Sequence, residues 1–147
     1  MKRDELAKRE AEAWAALLLQ AARLTPEQQD IDGVVPGWST KDLLWHCARW
    51  AGELAGWLPQ MRDGTFVDPF EADETLGDRM NDEIAAESKA MSPSEVLERS
   101  EEQRTKLDKA WSTMEPDETA VEWYSEETFV HYEEHAAEIA RFADALA

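Results

Sequence analysis

Residues 39–61, STKDLLWHCARWAGELAGWLPQM, decide how the chain is read. Ser39 followed three residues later by Asp42 is close to a capping box, in which each side chain satisfies a backbone amide that the first helical turn leaves free. Beyond it Leu43, Trp50, Leu54, Trp57 and Met61 recur at the spacing of one helix face, and Asp63-Gly64 ends the run. His46 lies roughly 60° around the axis from the centre of that stripe, on the edge of the face to be buried. A helix with a histidine at the rim of its apolar face is predicted.

Comparable segments surround it. From about Arg3 to Leu24, Leu6, Ala13, Trp14, Leu17, Ala21 and Leu24 repeat opposite a charged face. Thr25-Pro26-Glu27-Gln28 starts one short helical turn before Asp32-Gly33 breaks the chain, and Pro36-Gly37 closes the loop. Ser92-Pro93-Ser94-Glu95 opens a helix to about Met114 with Val96, Leu107, Ala110, Trp111 and Met114 inward, and Pro116 ends it. A final helix is predicted from about Ser125 to Ala145, with Tyr124, Thr128, Ile139, Phe142 and Leu146 as its inner stripe. Between the second helix and Ser92, the segment Thr65 to Gly77 carries Phe66, Pro69 and Phe70 without a period and reads as a long crossover anchored by aromatics. A modest helix over Asp78 to Ala90 turns Met80, Ile84 and Met91 inward. Ala and Glu dominate while Ile and Val are few, so strands lack their preferred residues. The expectation is an all-α four-helix bundle in a single domain over residues 1–147, its long middle connection permitting a parallel neighbour pair.

The 147 residues carry 33 Asp plus Glu against 15 Lys plus Arg, a formal charge of -18. That balance opposes any affinity that comes from neutralising phosphates or anionic lipid, so neither nucleic acid nor a membrane surface is the expected partner, and a small molecule is. Glu98, Glu101, Glu102, Glu133 and Glu134 fall on outer faces, where they keep a bundle in solution. The lone Cys47 cannot form an internal disulfide, the charged N-terminus has no secretory h-region, and no apolar run is long enough for a membrane span; a cytoplasmic location is expected.

His46, His131 and His135 are the only histidines. The last two stand one helical turn apart on the inner stripe, and three inward imidazoles are costly unless their nitrogens are satisfied. One reading is a metal centre, with the His131–His135 pair completed by His46 from a facing helix; such a set suits Zn²⁺ or Ni²⁺, and an open position would make it catalytic. The other is ordinary hydrogen-bonded core histidines, since the HxxxH spacing alone is weak. Glu53, two turns beyond His46, and Glu138, close to one turn beyond His135, are candidate general bases, or carboxylates that orient a histidine or sit in solvent. Trp50 and Trp57 share the histidine stripe and are candidate pocket walls, whereas Trp14 and Trp111 occupy ordinary core positions. Cys47 is rotated towards the apolar side and reads as a core thiol rather than a nucleophile.

Residues 37–46, GWSTKDLLWH, with Trp50 after them, resemble the helix-two signature of the DinB/YfiT-like metalloenzymes, and residues 128–135, TFVHYEEH, resemble that superfamily's helix-four signature. Asn81-Asp82 and the SPSEVL start at residues 92–97 follow in the same order. The resemblance implies a four-helix bundle, often a homodimer, holding a divalent metal through His46, His131 and His135. Relatives include thiol-dependent enzymes that use mycothiol or bacillithiol, the mycothiol-dependent maleylpyruvate isomerases among them, and a hydrolase branch typified by colibactin self-resistance proteins. The isomerase branch favours Glu where this chain has His131 and carries an extra C-terminal domain, so maleylpyruvate isomerisation is not expected here. What is expected is a metal-dependent enzyme acting on a small molecule by thiol transfer or hydrolysis, with a low-molecular-weight thiol as cosubstrate, in detoxification or a stress response. The alternative, from another class, is a non-catalytic metal- or ligand-binding bundle serving dimer assembly.

Overall fold

A computed structural model describes residues 2–147, and among them no strand forms. The helices are α1 (Lys2–Ala21), α2 (Pro26–Gln29), α3 (Thr40–Asp63), α4 (Pro69–Ala72), α5 (Leu76–Lys89), α6 (Pro93–Trp111), α7 (Glu118–Ser125) and α8 (His131–Leu146), with one π-helical turn, Glu126–Val130, joining the last two into a continuous rod. No helix among these residues is long and apolar enough to cross a membrane.

The helix starts follow the capping chemistry. Thr25, Ser39 and Ser92 each close a reciprocal capping box, with Gln28, Asp42 and Glu95 respectively. Gly64 ends α3 at a φ of 74°, a left-handed conformation that favours glycine. The C-terminal rod begins at Glu118 rather than near Ser125, because the Asp117 carboxylate accepts from the Ala120 amide at 2.9 Å and restarts the helix directly after Pro116. The crossover also holds a short turn, α4, started by Asp68 accepting from the Phe70 amide.

Contacts along the rods give the topology. Lys41 donates to the Met91 carbonyl, Gly52 abuts Gln103, and Met61 shares a cavity wall with Met114, so α3 and α6 run parallel, as the long connection permits. Trp111 donates to the Arg3 carbonyl and Trp14 to Glu101, so α1 runs antiparallel to α6. His46 meets His131 while Trp57 meets Trp123, which sets the C-terminal rod antiparallel to α3. Helices α1, α3, α6 and the C-terminal rod thus form a four-helix bundle, and α5 packs outside on α3.

The core is the predicted one for α1, α3 and α6: Leu17, Leu43, Leu54, Val96, Leu107 and Trp111 are all buried. In the C-terminal rod the inner stripe differs. Tyr124, Thr128, Tyr132 and Ile139 are buried, but Leu146 is exposed. Leu146 is the last residue of α8, at the end of the rod.

Two buried polar groups hold helices to one another. Glu10 of α1 receives Arg104 of α6 in a two-pronged ion pair, at 2.7 and 2.8 Å, and the Tyr132 hydroxyl at 2.9 Å. Asp42, wholly enclosed at the start of α3, accepts from the Ser39 amide and the Ser88 hydroxyl and pairs with Lys89, which ties α5 to α3. Burial pushes the Asp42 carboxyl up, but Lys89, the Ser39 amide and the Ser88 hydroxyl together hold it below its ordinary 3.8. A carboxyl lowered on folding stabilises the fold above its unfolded pKa, and that contribution is lost as the pH falls through the lower folded value. Asp42→Asn should therefore cost on the order of 1–3 kcal/mol at pH 7, with the gap from the parent closing as the pH falls below the ordinary carboxylate range, as read from urea midpoints.

Candidate metal centre

Helix α3 carries His46 about two turns after its cap, and α8 carries His131 and His135 on its first two turns. The three imidazoles meet between the two rods. His131 Nε2 lies 2.9 Å from His46 Nε2 and 3.0 Å from His135 Nε2. Among the described residues these side chains form a group whose donor atoms all lie within 4.8 Å of one another.

Hydrogen bonding alone does not satisfy this arrangement. His131 Nε2 bears either one proton or one lone pair, so it engages one neighbouring imidazole and leaves the other approach unmatched. The buried Nδ1 atoms of His46 and His131 find no partner among the described residues. Charging the rings offers no escape: burial, with the charge of His135, lowers His46 to about 3, and burial, with His46 and His135, lowers His131 to about 2. Both are therefore neutral at physiological pH. Converging neutral imidazole nitrogens are the donor set a borderline divalent cation takes. Two nitrogens bound about 2.05 Å from one ion are separated by about 2.9 Å at a right angle and about 3.3 Å at the tetrahedral angle, so the spacing fits the lower end of that range. His135 Nδ1 hydrogen-bonds the Glu138 carboxylate, the contact that turns a ligand's far nitrogen inward. Trp38, from the loop before α3, packs edge-on against His46 with ring centres 4.9 Å apart.

His46 and His131 form one wall of a 230 Å³ cavity, with His135 packed on His131. Trp50 and Phe70 supply its apolar side, and Asn81, Glu126 and Glu127 its polar side. Trp50 is fixed by donating from Nε1 to Asn81 Oδ1 at 2.9 Å. Glu127 has no cation beside it, and burial, then its neighbour Glu126, raises its carboxyl to about 7.

Residues 11–137 match the family described as the mycothiol maleylpyruvate isomerase N-terminal domain. The chain belongs to that family. It is a DinB-like helical domain family, in accord with the four-helix bundle seen here. No curated protein matches the chain. A crystal structure of an uncharacterised protein from Escherichia coli UTI89 is similar over 98% of this chain and 94% of that one, with a TM-score of 0.75 at 16% identity, a likeness of fold.

The other residues singled out in this family member are placed as follows. Glu138 joins the histidines through His135. Glu53 pairs with Arg49 at 2.7 Å and does not line the cavity. Trp57 stands behind the wall, packed on Trp50, Phe70 and Trp123 rather than facing the histidines. Cys47 is completely enclosed, and burial, reinforced by the charges of Glu138, Glu134 and Glu127, pushes its thiol up. Glu127 was not singled out from the sequence, although it stands four residues before His131 on the same helix face. Cys47 should resist iodoacetamide at pH 8 in the folded protein and react fully in guanidinium; rapid labelling of folded protein, followed by mass spectrometry, would contradict its assignment as a core thiol.

Proposed function

We propose that this protein is a divalent-metal-dependent enzyme acting on a small molecule by thiol transfer or hydrolysis, in detoxification or a stress response. The observation that carries the reading is the convergence of the three imidazoles, two of which, His46 and His131, are held neutral and line a cavity. In this reading His46, His131 and His135 hold the ion, and zinc or nickel suits them. Such an ion supplies Lewis acidity and lowers the pKa of a water or thiol brought to it.

The chain's own groups do the rest. Glu138 holds the His135 Nδ1 proton and so keeps the Nε2 lone pair directed at the cluster. Trp50, fixed by Asn81, and Phe70 wall off the cavity and orient what enters it. Glu127, on the polar side of the same cavity, is the carboxylate placed to take a proton from an entering thiol or water. The family supports a low-molecular-weight thiol, mycothiol being the one in its description, as cosubstrate.

Metal analysis after reconstitution with Zn²⁺ or Ni²⁺ tests the reading. About one ion per chain is expected in the parent and less than about a tenth of that in His135→Ala, since losing one of three ligands removes most of the affinity. A parent protein that retains no ion would overturn the proposal. With metal bound, incubation with mycothiol and a generic electrophile separates the two chemistries. Consumption of thiol along with electrophile indicates transfer, consumption of electrophile alone indicates hydrolysis, and consumption of neither leaves a binding bundle.

A further inference from the structure

Helix α5 contributes one side chain to the histidine-walled cavity, that of Asn81, the only asparagine in the chain. Asparagine is a poor helix former, because its carboxamide competes with the backbone for hydrogen bonds. Here the carboxamide is engaged across the cavity wall instead. The indole N–H of Trp50 can only donate, so the atom it meets at 2.9 Å is the carboxamide oxygen, Oδ1. That contact also fixes the other end of the planar group, the Nδ2 amide with its two protons.

Nδ2 donates to no group among the described residues. By contrast Gln29, also half-buried, spends its Nε2 protons on the Ala21 and Leu24 carbonyls. Nor is Nδ2 sealed in the core, as the partnerless hydroxyls of Thr40 and Ser100 are, so an incoming molecule can reach it. Other donors on the cavity wall are scarce. Phe70 has none, Glu126 and Glu127 as carboxylates only accept, the Trp50 N–H is already taken, and the Nε2 atoms of His46 and His131 face each other. An occupant with an acceptor oxygen therefore finds its donor at Asn81. A cation held by the histidines would attract the same kind of atom, so the two do not oppose each other.

We propose that Asn81 binds the substrate, donating from Nδ2 to a carbonyl oxygen, whether that of a neutral carbonyl compound or of a carboxylate. Trp50 positions the donor by holding Oδ1. Thiol transfer and hydrolysis both need an electrophilic carbon, and a carbonyl supplies one beside the oxygen that Asn81 holds. A hydrogen bond to that oxygen favours the negative charge that develops there on attack. That the bound oxygen belongs to an enzyme's substrate rests on the function proposed above; the donor itself does not.

Because the chain has a single asparagine, protein labelled with ¹⁵N in the asparagine side chain shows one side-chain amide pair by NMR. A proton that enters a hydrogen bond moves downfield. N,N-dimethylacetamide, which accepts but cannot donate, and acetate are titrated separately into zinc-reconstituted and metal-free protein. One proton of the pair is expected to move downfield with at least one probe, and which probe moves it tells a neutral carbonyl from a carboxylate. Asn81→Asp keeps an acceptor for Trp50 and removes the donor. It is expected to weaken the probe that moved the proton by about fivefold or more, the loss of one hydrogen bond, as read by ligand-observed NMR. Trp50→Phe, which frees the carboxamide to turn, is expected to weaken it less. Amide protons that neither probe moves, or binding undiminished in Asn81→Asp, would overturn the proposal. Metal content of the same samples keeps the two claims separate: protein that takes up no zinc yet shows the shift retains the Asn81 donor and loses the enzyme reading, and zinc-loaded protein without the shift does the reverse.

Discussion

The orientation of the C-terminal rod depends on one buried contact, the meeting of Tyr132 with the Glu10–Arg104 ion pair. Glu10 is 4% exposed, so its charge is tolerable only because a guanidinium and a phenol surround it. Removing one member of such a pair typically costs about 3–5 kcal/mol, because the other charge is left buried and alone. The contact fixes rotation as well as stability. With Tyr132 turned towards α1 and α6, the residue before it and the residue three after it are displaced to the same side, by about 100° and 60°. Those residues are His131 and His135, and the side they face is α3.

Asp42 plays the corresponding part for α3. It closes the capping box that starts the helix and accepts from Ser88 and Lys89 of α5, so the height and direction of His46 are set from two sides. Between these anchors His46 and His135 are each brought within 3.0 Å of His131 without protons enough to share. The π turn stands directly before His131 and carries Glu126 and Glu127, which line the cavity. Wide turns of this kind are uncommon and concentrate at functional sites, which agrees with its place here.

Much of this was legible beforehand, for local reasons. Ser39, Thr25 and Ser92 announce helix starts because their side chains satisfy amides that only the first turn leaves free. His46, His131 and His135 could be set on inward faces by counting rotation, and the family resemblance gave them a common purpose. Counting failed at the end of the rod, where Leu146 is the last helical residue and stands exposed, while Glu127, one turn before His131 on the same face, was passed over. Asp117 went unrecognised as a cap because Pro116 reads as a stop. Glu53 is engaged by Arg49 four residues earlier on the same helix, a pairing its sequence position already permitted. Phe70 reads only as an anchor in the crossover, since its nearness to Trp50 and Trp123 is a product of tertiary folding.

The family bond and the geometry point the same way: a bundle whose interior polar contacts serve to aim three imidazoles at one place beside an acidic, aromatic cavity. X-ray absorption at the zinc edge of the reconstituted protein tests that claim most directly. The account predicts three nitrogen neighbours at about 2.0–2.1 Å, with the outer-shell scattering of imidazole rings and one further light ligand. A shell of oxygen neighbours without imidazole scattering would contradict it, because the ion would then reside on surface carboxylates rather than between α3 and α8.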